Sequence, residues 1–371
     1  MDNPNKILKF ISPIINHKET NSIIAKSLKS GLPNEGYITK EFEKKISKLL
    51  NVKHVVATTS GTIAIFLALK ALGINKRHEV IVPNITFAAT VNAVSLTGAK
   101  PVLADVDKET LLLNLGKLKS KISKKTKAII PVHVSGRGSN IKKLKAFSKK
   151  FKIKLVEDAA EAFMSKVGKK FLGTYGDLGC FSFSPPKIIT TGQGGVVVTN
   201  DTKLFKKILQ LKNQGRVGFS NGGEDKYESI GYNFKFTNIQ SALGISQLNS
   251  INWRKNKLIK NYKLYKKYVL ENSNLKIFNF NISNGEVPLW VDIYCKKRNK
   301  LHKFLLNQGF ECRLFWHPIN FCKPYKKSFK GLENSLILKE KLMWLPSSLS
   351  LSEKKIKKIC NLINYFSKKY L

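Results

Sequence analysis

The sequence lacks most of the features that commit a chain to a membrane, a metal or a disulfide framework. No apolar run approaches the roughly 20 residues needed to cross a bilayer, and no N-terminal stretch joins a basic start to an apolar segment and a small-residue cleavage site. We expect a cytoplasmic protein with no membrane insertion. Five cysteines, Cys180, Cys295, Cys312, Cys322 and Cys360, form no CxxC pair and leave one over, which fits a reducing compartment. The histidines, His17, His54, His78, His133, His302 and His317, stand singly, so no metal-ligand spacing is present. Arginine is scarce: only six of the 66 basic residues are arginine, leaving sixty lysines against 24 acidic residues and a net charge of +42. Such a balance attracts polyanions. Readers of nucleic-acid sequence, however, rely on the arginine fork. Here lysine is spread along the chain, as in KKISKLL, LFKKILQLKNQ and KKIKKIC, with no basic tail, RRM signature, zinc-finger spacing or helix-turn-helix. We expect no nucleic-acid partner and read the lysines as a solvated surface, with attraction of a polyanionic small substrate as the alternative reading.

With 371 residues and 42% hydrophobic content, the chain is long enough for one large domain and a smaller companion. From residue 40 the pattern alternates. EFEKKISKLL is amphipathic, TIAIFLALKAL is an apolar helix, EVIVP a buried strand, and FAATVNAVSLTG a helix ended by Gly98. PVLADVD, AIIPVHV and KLVEDAA are β-branched runs separated by helical stretches such as IKKLKAFSKKF, and GCFSFS and GGVVVTN flank the loop PPKIITTGQ. Strands alternating with helices predict an α/β domain with a mostly parallel sheet covered on both faces. After Asn238 come the helices IQSALGISQL and RKNKLIKNYKLYKKYVLE, then strands PLWVDIYC and ECRLFW around a helix. This divides the chain into a large domain over 1–249 and a smaller α+β domain over 250–371.

Three stretches carry chemistry. In VEDAAEAF, Asp158 follows an apolar run, which places it at the C-terminal end of a strand, where open α/β sheets bind ligands; a helix N-cap would also use an aspartate there. In SFSPPKIITTGQGG, Lys187 sits between Pro-Pro and an Ile-Ile step. A lysine amine is a nucleophile only when neutral, and a confined, partly apolar site disfavours its charged form. Lysine as imine former with aspartate as pyridinium partner is the pairing a pyridoxal phosphate site needs. VVATT leading into Ser60, Gly61 and Thr62 and then an apolar helix supplies an anion cradle from free N–H groups and the positive dipole end; an ordinary capped helix start has the same pattern. Phe87, opening the next helix, is placed to lie against an aromatic ring.

The order SGT, PxxTFxAT, PVHxxG, EDAAEA, GxxGDxGxFSFxPxKxxTTGxGG and GYNFKFTNIQ resembles the DegT/DnrJ/EryC/StrS group of sugar aminotransferases that depend on pyridoxal 5'-phosphate. The resemblance covers roughly residues 30 to 350. It implies the aspartate aminotransferase-like fold (fold type I) and a homodimer with shared active sites. It also implies that Lys187 forms the imine with the cofactor and shuttles the proton, while Asp158 holds the pyridine nitrogen protonated. Gly61, Thr62 and Ser182 would bind the phosphate, joined by Asn233 from a second subunit, and Phe87 would stack on the ring. Glu161 stands near the cofactor's phenolic oxygen, where the family often has Gln or His; an acid there needs a donor or a proton. The segment GYITKEFEKKI lacks the TGP-like insert that usually precedes the first helix. Related sugar dehydratases replace the lysine with histidine, so Lys187 favours transamination.

The implied reaction takes an amine from L-glutamate through the pyridoxamine form to a keto nucleotide-sugar. The EDAAEA, PPKIITTGQGG and WLPSS stretches are most similar to the perosamine-type branch, which implies a 4-keto-6-deoxyhexose linked to GDP or dTDP, used for surface polysaccharide. Arg216 and His317 are the substrate-contact candidates, although an arginine paired with a surface acid, or a histidine in a turn before Pro318, explains each singly. A 3-keto sugar aminotransferase and a non-catalytic regulator that binds pyridoxal phosphate are the alternatives.

Overall fold

The computed structural model describes residues 7–31, 33–138, 140–217, 225–326 and 330–371. The β-branched runs become one seven-stranded sheet: β1 (His54–Thr58), β2 (Glu79–Pro83), β3 (Lys100–Ala104), β4 (Thr126–Ile129), β5 (Lys154–Asp158), β6 (Leu178–Ser182) and β7 (Gly195–Thr199). Their spatial order is β1-β7-β6-β5-β4-β2-β3. β2 to β6 run parallel, and β7 is antiparallel to both β6 and β1. β7 reverses because only a loop joins it to β6, whereas a parallel return needs a crossover, usually helical.

Both faces are apolar, with the period of two that a covered sheet requires. Val55, Ala57, Ile81, Leu155, Phe181 and Val196 lie in one core. Their sequence neighbours Val56, Val80, Val82, Val156, Cys180 and Val197 lie in the other. Helix α1 (His17–Lys29) precedes α2 (Tyr37–Leu50), which covers the first face through Phe42 and Ile46. On the second face lie α3 (Gly61–Ala71) and α4 (Ala88–Leu96). α3 is almost wholly buried, which explains its apolarity all round. AIIPVHV is strand only to Ile129. Pro131 has no N–H for the ladder, although its carbonyl accepts from Asp158 N at 2.9 Å, and the chain turns out at His133.

The second sheet is fully antiparallel: β8 (Leu275–Ile277), β9 (Val291–Cys295), β10 (Arg313–Leu314) and β11 (Leu342–Leu345), in the order β8-β9-β11-β10. ECRLFW contributes only two paired residues, because the chain leaves to dock on the first sheet: Ile319 N donates to Asn84 O at 2.7 Å, and Asn320 N to Asn84 Oδ1 at 3.0 Å. A C-terminal helix, Glu353–Tyr370, buries Ile356, Ile359, Cys360, Ile363 and Phe366 and turns its lysines outward. The N-terminal segment also reaches this unit. Leu8 N donates to Gly309 O at 2.9 Å, and Phe10 packs on Trp290 and Trp344.

Candidate active site

Asp158 closes β5 and is 5% exposed. Its Oδ2 accepts from Thr90 Oγ1 at 2.6 Å and its Oδ1 from Ala160 N at 3.1 Å. Burial still pushes its pKa above the usual carboxylate value, against the pull of these donors and of Lys187. A carboxylate so desolvated gains strongly from a cation brought to it. Its neighbour Glu157 has no such capacity: it is fully buried, accepts from Gly173 N at 2.8 Å and Gly176 N at 2.6 Å, and lies 2.8 Å from His133 Nε2.

The loop between β6 and β7 is pinned along its length. Phe183 N donates to Gly194 O at 2.8 Å and Thr191 N to Phe183 O at 2.9 Å. Gln247 holds both polar groups of the Thr190 peptide. Arg254, 3% exposed, donates to Ile188 O at 3.1 Å, Ile14 O at 2.7 Å and Ser250 Oγ at 2.9 Å, all neutral acceptors, and burial pulls its pKa down to about 10. This explains the apolar setting of Lys187. Its side chain is 11% exposed, and its Nζ lies 3.6 Å from Glu161 Oε1 and 4.9 Å from the centre of the Trp290 ring, where the ring face attracts a cation.

Glu161 is buried, and Ser135 N donates to its Oε2 at 2.8 Å. Burial pushes its pKa up to about 7 in spite of the opposing Lys187 cation; Asp158 and Asp292 add to the rise. In the unfolded chain the group titrates near 4.5. As pH rises from about 4.5 to about 7 the unfolded state therefore loses its proton first, and stability falls by about 3 kcal/mol. Thermal unfolding of the cofactor-free protein between about pH 5 and about pH 8 is expected to show this decline in the wild type and a shallower one in Glu161→Gln, where the raised Asp158 still contributes. Parallel curves for the two proteins would refute the assignment.

Ser60 caps α3, accepting from Ile63 N at 3.2 Å, so the N–H groups of Gly61 and Thr62 open the helix. Ser182 adjoins them: a Cβ at Gly61 would sit 2.7 Å from Ser182 Cβ, and one at Gly195 would sit 2.6 Å from Ser60 carbonyl carbon. Only glycine lets β7 and the end of β6 approach this closely. Gly61, at the start of α3, and Ser182, at the end of β6, thus lie side by side, with Thr62 next in the helix. Phe87 precedes α4, is 52% exposed and has its ring 6.3 Å from Trp316. Its own turn carries Thr86 and Thr90, whose hydroxyls bond each other at 2.8 Å, and Thr90 reaches Asp158.

The other expected residues are Asn233, Arg216 and His317. Asn233 is exposed; the flanking rings of Tyr232 and Phe234 stack on each other and meet Phe66 of α3 edge-on. Arg216 is engaged by Asp225 at 2.6 Å. His317 is exposed between Trp316 and Pro318, on the segment docked against Asn84. Residues that the sequence reading passed over are Thr90, Ser135, Trp290, Asp292, Arg137 and Arg254. Rarity was the available signal for two of them: in a chain whose surface cations are mostly lysine, Arg137 and Arg254 are 1% and 3% exposed.

A nearly enclosed lysine amine, a desolvated carboxylate at a strand end and the free N–H groups of a helix N-terminus are the kinds of group that the aldehyde carbon, ring nitrogen and phosphate of pyridoxal phosphate require. With a mostly parallel seven-stranded sheet and a small antiparallel unit, they suit an enzyme of the pyridoxal-phosphate-dependent fold. The family profile described as "DegT/DnrJ/EryC1/StrS aminotransferase family" matches residues 14–364. The GDP-perosamine synthase of Escherichia coli O157:H7 is 34% identical over 342 residues, covering 90% of this chain and 92% of that protein. The GDP-perosamine synthase of Vibrio cholerae is 35% identical over 347 residues, with 90% and 92% covered. The Streptococcus pneumoniae protein Spr1654 in its PLP form superposes with a TM-score of 0.90 at 23% identity, covering 98% of this chain and 100% of that one. The chain belongs to the DegT/DnrJ/EryC1/StrS aminotransferase family and is a sugar aminotransferase. Among the described residues, no helix is long and apolar enough to cross a membrane, and no group of three or more His, Cys, Asp or Glu could hold a metal ion.

Proposed function

We propose that the protein moves the amino group of L-glutamate to the keto carbon of a GDP- or dTDP-linked 4-keto-6-deoxyhexose, in the cytoplasm, for surface-polysaccharide synthesis. The observation that carries this reading is the Lys187 amine, nearly enclosed between Glu161 and the Trp290 ring and coupled electrostatically to Asp158. The similarity to two GDP-perosamine synthases favours the GDP-linked sugar.

Pyridoxal phosphate, when bound, supplies the electron sink and the carbon that carries the amine. The chain supplies the rest. Lys187 would hold the cofactor covalently through Nζ and, once its amine is free, would take the proton from the substrate carbon and return it. Asp158 keeps a proton on the ring nitrogen. Gly61 and Thr62 N–H groups and the Ser182 hydroxyl hold the phosphate, joined by Asn233 of a second copy. Phe87 lies on the ring. Glu161, whose carboxyl burial pushes above the usual carboxylate range, takes up a proton more readily than an exposed acid and so could donate to a phenolic oxygen. Arg216 and His317 contact the nucleotide-sugar. A homodimer with shared sites would cover some of the exposed apolar side chains, such as Tyr37, Tyr227, Ile230 and Ile239.

The test is incubation with pyridoxal phosphate, glutamate and a panel of 4-keto nucleotide-sugars, with mass spectrometry of the products. We expect 2-oxoglutarate and one panel member whose keto oxygen has become an amine. If 2-oxoglutarate forms with no aminated sugar, the substrate class is wrong; if none forms, the donor is wrong.

A further inference from the structure

The stretch PVHVSGRG is absorbed by neither the cofactor corner nor the lysine loop, yet it meets every part of the site. Ser135 has φ +53°, a conformation uncommon outside glycine, of the kind that persists only where surroundings enforce it. Gly136 follows at φ +103°, and a Cβ there would lie 2.0 Å from Val287 O, so the turn is pressed onto the segment entering β9. Leu289 N closes the contact by donating to Ser135 O at 2.9 Å.

The Ser135 side chain bridges the two sheets. Its hydroxyl donates to Asp292 Oδ1 of β9 at 2.7 Å and accepts from Trp344 Nε1 of β11 at 3.3 Å, while its backbone N–H holds Glu161. A hydroxyl is the small group that can donate and accept at once. Asp292, fully buried, is fixed from behind by Arg137, whose Nη2 lies 2.5 Å from Oδ2 in a charge pair that falls short of an aligned hydrogen bond. Arg137 in turn donates to Asn279 O at 3.0 Å and lies 3.8 Å above the Phe280 ring. Trp344 also packs on Trp290, the ring beside the Lys187 amine. The charged groups facing Glu161 are Lys187, Asp158 and Asp292.

We propose that Ser135 is a positioning residue that transmits the seat of the small antiparallel sheet, through Asp292 and Trp344, to Glu161 and so to the Lys187 amine. The inference rests on the aminotransferase reading of the site. Ser135→Gly removes the hydroxyl, keeps the N–H and suits the positive φ, so it is the variant least prone to misfold; Ser135→Ala is its companion. In the cofactor-loaded proteins we expect kcat for the glutamate half-reaction to fall about tenfold, as when a reacting group loosens by a fraction of an ångström. KM for glutamate should stay within about twofold, because a positioning group acts after binding. The pH midpoint of the cofactor's visible absorption should also move. In the cofactor-free proteins, the part of the melting-temperature decline with pH that Glu161→Gln removes should shift its midpoint in both variants. Folded variants that match the wild type in kcat, absorption midpoint and melting-temperature profile would overturn the proposal. If wild type itself takes up no cofactor, the aminotransferase reading fails first, and the melting-temperature profiles alone decide the Ser135 question.

Discussion

Lys187→Ala is expected to fold, to show no absorption from lysine-bound cofactor, and to transfer amine about 10⁴-fold more slowly than wild type, the upper range for loss of a positioned acid–base group. Folding survives because the partner left behind can neutralise itself. Glu161 already titrates near 7 with the lysine present, and without that cation its pKa rises further and it buries as a neutral acid. No other lysine can substitute readily, since the pinned loop and the Trp290 ring fix which amine faces Glu161. Rates with glutamate and spectra of the loaded protein check this. Near-normal turnover in the variant would remove Lys187 from the chemistry.

Arg137→Met is expected to destabilise the protein by about 3–5 kcal/mol, because truncating one member of a buried ion pair strands the other. Asp292 is fully buried, and Ser135 Oγ would be its remaining hydrogen-bond donor. The arginine's packing over Phe280 is lost as well. Pairing the change with Asp292→Asn removes the stranded charge and should restore most of the loss. Denaturant unfolding of wild type, single and double variants measures both steps. A single variant within about 1 kcal/mol of wild type would show that the pair is not structural.

Much of the large sheet was legible because its strands carry β-branched runs and its helices an apolar period, and both survive in a lysine-rich background. Lys187 and Asp158 could be singled out for a different reason: Lys187 stands between Pro-Pro and an Ile-Ile step and Asp158 ends a mostly apolar strand, and a charged residue in either place needs a partner. The network behind Glu161 was not. Ser135 looks like a loop serine, and its significance comes from β9 and β11, which lie more than 150 residues away in sequence and meet it only after the second sheet folds. The C-terminal helix was masked by its own lysines, whose charge conceals the Ile356, Ile359, Ile363 and Phe366 stripe. The short β10 could not be anticipated from ECRLFW, since a distant carbonyl, Asn84 O, competes for the chain that follows. Asn233 and His317 are exposed and Arg216 pairs with Asp225 within the chain, so their proposed targets lie in a second copy or a bound substrate and not in the fold of one chain.

The account depends on one amine among sixty being the one that holds the cofactor. Loading the protein with pyridoxal phosphate, reducing it with borohydride and mapping the modified peptides by mass spectrometry tests this directly. We predict a pyridoxyl group on the peptide carrying SFSPPKIITTGQGG, at Lys187, in near-stoichiometric yield. Label scattered over surface lysines, with that peptide unmodified, would contradict the account.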